Sequence, residues 1–269
     1  MIYELQPREN LSRLVRAYMF LKVEDTSGCF FAPAIKRLGI VIALQSNVEI
    51  NCNHKKYIPP VVSMKGAFEL PYYYSYIHQY VTSFAADLYP IGMYELTGKP
   101  GITFKNKFVS ASQVWTKNEV KELFSALSRD IPLQERSVLF DDFLENKAPD
   151  ILSEKSLLVE KADNMARKQD YQWSVKMISR EIGVSERTLG RAFKEVVGLT
   201  PKQYFTTALF EDMVNECTNT KERSIGKFLY SPFYDFSHIN KWFKKFAHTS
   251  PREFASLDLH SIAAVLSRV

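Results

Sequence analysis

Two short stretches of this chain carry side chains of the kind that bond to base edges and phosphates. In SERTLGRAFKEVVG, residues 185–198, Arg187, Arg191 and Lys194 recur at helical spacing, with Thr188 and Gly190 at their margins. In SPFYDFSHINKWFKKFAHTSP, residues 231–251, the corresponding set is Phe236, Ser237, His238, Asn240, Lys241 and Lys244. Arginine pairs bidentately with guanine and asparagine with adenine, while lysine and serine suit guanine acceptors or phosphates. At about 100° per residue, Leu189, Phe193 and Val196 fall on one side of the first stretch and Arg187, Arg191 and Lys194 on the other. The second stretch divides the same way, with Ile239, Phe243 and Phe246 inward and Ser237, Lys241, Lys244 and Lys245 outward. A basic stripe alone is usually a solvated face. Two copies of it, each opposite an apolar stripe, point to recognition helices that enter a major groove.

The elements that must hold these side chains repeat as well. An offset of fifty residues places Val175 on Ile225, Ile178 on Phe228, Leu189 on Ile239, Phe193 on Phe243, Lys194 on Lys244, Pro201 on Pro251 and Tyr204 on Phe254. In the first copy, SVKMISREIG reads as an amphipathic helix stopped by Gly183, and Ser185 as the N-cap of a second helix that stops at Gly198. Two short helices across a turn of a few residues have helix-turn-helix geometry. Between residues 173 and 250, twelve Lys plus Arg face eight Asp plus Glu, a net charge of +4 out of +5 for all 269 residues. The positive excess lies where the two stripes lie, which favours a polyanionic partner.

The repeats FYDFSHINKWFKKFAHTSPREF and SERTLGRAFKEVVGLTPKQYF resemble the DNA-binding domain of the AraC/XylS family of bacterial transcription regulators. Phe233, Asp235, Ser237, Ile239, Lys241, Phe243, Lys244, Ser250, Pro251 and Phe254 follow the family's second-motif pattern. The resemblance implies that Arg187, Gly190 and Arg191 face the groove in the first motif, and Phe236, Ser237, Asn240 and Lys241 in the second. It also implies a long helix over 204–219 that spaces the motifs, two successive major grooves as their target, and activation by contact with RNA polymerase. Pro232 stands where the family has glycine, and Phe236 where it usually has a polar residue. The segments 3–23 and 87–115 are similar to an uncharacterised N-terminal domain that precedes this module in regulators of Bacteroidetes-like bacteria.

The front half has another texture. Runs 37–50, 56–70 and 72–89 are rich in Val, Ile, Tyr and Phe and are broken by Asn, Pro and Gly, which predicts strands and turns. Residues 118–130 and 135–147 predict amphipathic helices. The fold class expected is therefore a β-rich, barrel-like α+β domain over 1–150, followed by an all-α domain with two helix-turn-helix motifs over 151–269. In PYYYSYIHQY, alternation sets Tyr72, Tyr74, Tyr76, His78 and Tyr80 on one strand face, which is either the wall of a small-molecule pocket or plain barrel packing. His54 and His78 are isolated, and the front half has no metal-ligand cluster, P-loop, nucleophile elbow or dinucleotide fingerprint. No catalysis, cofactor or metal is expected.

Cys29, Cys52 and Cys217 have no paired spacing and read as reduced thiols. The charged N-terminus and the lack of a long apolar run predict a cytoplasmic chain without a membrane partner. The function expected is a sequence-specific transcription regulator on double-stranded DNA, modulated through its N-terminal half by a small-molecule effector or by homodimerisation. Two alternatives are an enzyme fused to a DNA-targeting module and a non-specific structural DNA binder.

Overall fold

A computed structural model describes the chain apart from residues 24–28, 46–47, 53, 78–79, 172, 220–235 and 257–269; residues 29–31, 216–219, 236, 238 and 255–256 are described by backbone alone. His78 and Pro232 thus lie outside the described residues, as do the side chains of Phe236 and His238.

Ten strands occur among the described residues: β1 (Ile2–Leu5), β2 (Val15–Val23), β3 (Cys29–Ala32), β4 (Leu38–Gln45), β5 (Val48–Cys52), β6 (Lys55–Tyr57), β7 (Val62–Lys65), β8 (Tyr72–Tyr76), β9 (Val81–Leu88) and β10 (Phe108–Ser110). They form an antiparallel six-stranded sheet in the order β1-β2-β9-β4-β7-β10 and a four-stranded sheet in the order β3-β8-β5-β6. Each of the three long β-type runs is two strands rather than one. Run 37–50 is split between the sheets after Gln45, run 56–70 at Pro59-Pro60, and run 72–89 between Tyr76 and Val81. Proline lacks the N–H that a ladder needs, so the second break follows from composition. At all three breaks the chain passes from one sheet to the other, which a one-dimensional alternation does not mark.

The helices follow: α1 (Gly92–Thr97), α2 (Lys117–Leu127), α3 (Leu133–Glu145), α4 (Glu154–Lys168), α5 (Val175–Ile182), α6 (Glu186–Val196), α7 (Pro201–Asn219), α8 (Phe236–Ala247) and α9 (Pro251–Ser256). The helix α2 begins at a capping box in which Thr116 Oγ1 accepts from the Glu119 N–H and Glu119 returns the bond to Thr116. The spacer helix, expected over 204–219, starts three residues earlier at Pro201, the first-turn position that tolerates a missing N–H.

A β-rich half and a helical half share one apolar core that runs from Leu11 and Phe84 through Phe140 and Val159 to Phe193, Phe210 and Phe254. In its helical part, Phe193 meets Tyr204 and Phe205 at ring-centroid distances of 5.4 Å, and Phe210 meets Phe243 and Phe246 at 5.1 and 5.2 Å. Each such ring removed from water contributes about 2–3 kcal/mol. A smaller cluster under β3, β5 and β8 contains Ile50, Phe68, Tyr72 and Tyr74.

Candidate DNA interface and ligand cavity

The first motif is built from caps and an apolar stripe. Helix α5 starts at Ser174, whose hydroxyl accepts from the Met177 N–H, and ends at Gly183 with φ +85°. Ser185 then caps α6 by accepting from the Thr188 N–H at 3.0 Å. Leu189, Phe193 and Val196 are fully buried, while Arg187, Arg191 and Lys194 are exposed. None of these three cations has an ion pair among the described residues. Gly190 sits on the helix with open space where a side chain would be.

The fifty-residue offset persists in three dimensions. Helices α6 and α8 begin at 186 and 236, and α7 and α9 at 201 and 251. Thr200 and Gln203 exchange capping bonds at the start of α7, and Ser250 and Glu253 do so fifty residues later at the start of α9. On α8, Ile239 and Phe243 are fully buried and Phe246 nearly so, while Ser237, Lys241 and Lys244 are exposed and Asn240 is half-buried. Lys245 lies over the Phe246 ring at 4.7 Å. The second motif's first helix would fall within 220–235, outside the described residues.

Residues 178–256 match a family model described as a helix-turn-helix domain. This segment is a helix-turn-helix domain. No curated protein matches the sequence significantly. Solved structures of ToxT from Vibrio cholerae are similar in fold over about nine-tenths of this chain. One, at 1.65 Å, is 13% identical with a TM-score of 0.50, over 91% of this chain and 98% of that one. A second, from strain SCE256 with an unsaturated fatty acid bound, is 13% identical with a TM-score of 0.51, over 93% and 97%. The helix-turn-helix domain thus sits in a two-domain architecture with a β-rich front half.

In that front half, a cavity of about 190 Å³ opens between the two sheets. Tyr72, Tyr74 and Tyr76 line it, with Val41, Ile50 and Phe108. Tyr80 does not: it follows the end of β8 and is 62% exposed, because the strand face that alternation extends to residue 80 stops at Tyr76. Burial pushes the Tyr72 phenol well above its ordinary range.

The residue that pattern reading missed is Lys65, at the end of β7, which also lines the cavity. No hydrogen bond or ion pair with a described residue holds its ammonium. Burial lowers its pKa to about 8, against the opposing pull of Asp87. Alternation along VSMK places Ser63 and Lys65 on one face, but nothing in four residues says that this face is a cavity. Among the described residues, no group of three or more His, Cys, Asp or Glu is placed to hold a metal, and no helix is long and apolar enough to cross a membrane.

Proposed function

We propose that the chain is a sequence-specific transcription regulator of the AraC/XylS type. Its residues 151–269 read double-stranded DNA, and residues 1–150 sense a small molecule. The observation that carries this reading is the duplicated frame: two helices fifty residues apart, each with a buried apolar stripe and an exposed basic stripe that has no ion pair among the described residues, within a helix-turn-helix domain. Arg187, Thr188, Gly190, Arg191 and Lys194 form the reading face of α6. Phe236, Ser237, His238, Asn240, Lys241 and Lys244 form that of α8. The division near residue 150 is supported by the non-helical stretch 146–153 between α3 and α4. The activator role rests on the family resemblance.

For the effector, the cavity supports an amphipathic carboxylate. Its walls are apolar and aromatic, and Lys65 supplies a cation with no hydrogen bond or ion pair to a described residue. The fatty acid bound to ToxT, a protein of the same fold, belongs to that chemical class.

In vitro selection of bound DNA by the purified chain tests the reading. Two short motifs about one helical turn apart are expected, with Arg191→Ala relaxing one and Lys241→Ala the other. Equal affinity for all sequences would instead identify a non-specific binder.

A further inference from the structure

The loop 98–107, GKPGITFKNK, belongs to the N-terminal half yet is clamped to the first recognition helix. Gly101 and Gly198 meet backbone to backbone: a Cβ on Gly101 would stand 2.2 Å from the Val197 carbonyl carbon and 2.3 Å from the Gly198 nitrogen. Only glycine at both positions permits this approach, and it fixes the loop against the C-terminal end of α6. The loop is rigid in its own right. Gly101–Thr103 is a 3-10 turn and Phe104 is buried. Asn106, at φ +56°, donates its N–H to Ala67 O and accepts from the Glu69 N–H.

An open groove runs between this loop and α6, with Ile102 and Lys105 on the loop side and Thr188, Arg191 and Lys194 on the helix side. Glu154, Lys155 and Glu195 also line it. Lys105 is paired with Glu69, and Lys155 lies 3.6 Å from Glu195. Lys99 and Lys107 are exposed and, like Arg191 and Lys194, have no ion pair among the described residues. Arg191 and Lys194 in the groove, and Lys99 and Lys107 on the loop, are thus four cations without an ion pair among the described residues.

We propose that loop 98–107 is a second DNA-contacting surface, which grips the phosphate backbone beside the segment read by α6. The inference rests on the proposed reading of DNA by α6. Its geometry follows from the helix. α6 ends at Val196, five residues or about 7.5 Å of rise beyond Arg191, and the loop is clamped just past that end. A recognition helix meets base edges with its N-terminal residues, so an element held past its C-terminal end lies beside the phosphates and not at the bases. There Lys99 and Lys107 release counterions without reading sequence. The N-terminal half is then part of the DNA-binding surface, and any shift of the loop changes affinity directly.

The test is the salt dependence of operator binding by the full-length chain, followed by fluorescence anisotropy on a selected site. For Lys99→Gln/Lys107→Gln, the slope of log K against log salt concentration should fall by nearly two, with affinity at low salt down about tenfold or more. The ratio between the operator and a scrambled duplex should not change. The Lys99→Arg/Lys107→Arg chain should restore the slope, and an unchanged melting temperature excludes a folding effect. A slope and affinity equal to those of the parent, while Arg191→Ala still abolishes site preference, would overturn the inference and leave the reading by α6 intact. A parent chain without site preference would overturn that reading instead.

Discussion

His248 stands fifty residues after Gly198, and both adopt positive φ, +52° and +84°. Gly198 follows α6 and His248 follows α8, each at the point where a left-handed residue ends the helix. The difference between them is what lies opposite. Gly198 faces the Gly101 backbone, where a Cβ would come within 2.6 Å, so glycine is required there. The exposed His248 bears only the conformational cost, about 1–2 kcal/mol for an L-residue in that region. His248→Gly should therefore raise stability by about 1 kcal/mol. Gly198→Ala should lower it by several times as much, since backbone and not a side chain must move. Urea denaturation of the two variants checks both signs. Gly190 is a third case, a helix-interior glycine with open space around it. Gly190→Ala should stabilise α6 by about 1 kcal/mol, and its DNA affinity reports whether the bare backbone is needed for close approach to bases.

At the scale of elements, the helical half was legible because its signals are local. Ser185, Gly183 and the 3.6-residue stripe of Leu189, Phe193 and Val196 lie within one short window, and caps and burial fall where that window puts them. The β half was legible only as strand content. Which run switches sheets after Gln45, and which strand brings Lys65 to a cavity, depends on pairings across dozens of residues that no periodicity records. Also invisible was the polar knot in the helical half. Asp163 of α4, almost fully buried, accepts from Tyr204 Oη at 2.9 Å and Tyr171 Oη at 3.3 Å, and pairs with Arg167 at 2.6 Å. These residues are 8 and 41 positions from Asp163, so their meeting is a product of the fold. Removing the carboxylate takes the acceptor from two buried tyrosine hydroxyls and the ion pair from Arg167. Asp163→Ala should cost about 3 kcal/mol or more, while Leu157→Ala on the exposed face of the same helix should cost little. Thermal unfolding followed by circular dichroism separates the two.

At the scale of the molecule, the strap 33–37 between β3 and β4 joins the halves. Ala34 donates its N–H to Phe246 O at the end of α8. Lys36 donates its N–H to Glu211 of α7 and its ammonium to Tyr171 Oη at 2.6 Å, under the Tyr171 ring at 4.2 Å. Lys65 feels charges from both halves: Asp87 and Glu211 favour its ammonium, Arg37 opposes it, and burial outweighs them all. Its pKa is about 8 in the folded chain against 10.5 as the ordinary value. Between those limits the unfolded chain binds a proton that the folded one does not, so Lys65 makes stability rise with pH from about 8 to 10.5, by at most about 3 kcal/mol. Tyr72 and Tyr57 act oppositely above pH 10, since burial raises both, the latter to about 12, and the folded chain then keeps protons the unfolded one loses. The Lys65→Met chain isolates the first effect: the difference in urea stability between it and the parent should be constant below pH 8 and shift in the parent's favour from 8 to 10.5. A bound carboxylate reverses the balance by favouring the ammonium. Affinity for an amphipathic carboxylate should fall as pH rises above about 8, the pKa of Lys65 in the unliganded chain, and that fall should vanish in Lys65→Arg, whose guanidinium stays charged. Titration calorimetry of a medium-chain fatty acid at pH 7 and 9.5 measures both; equal pH dependence in the two chains would remove Lys65 from the binding site.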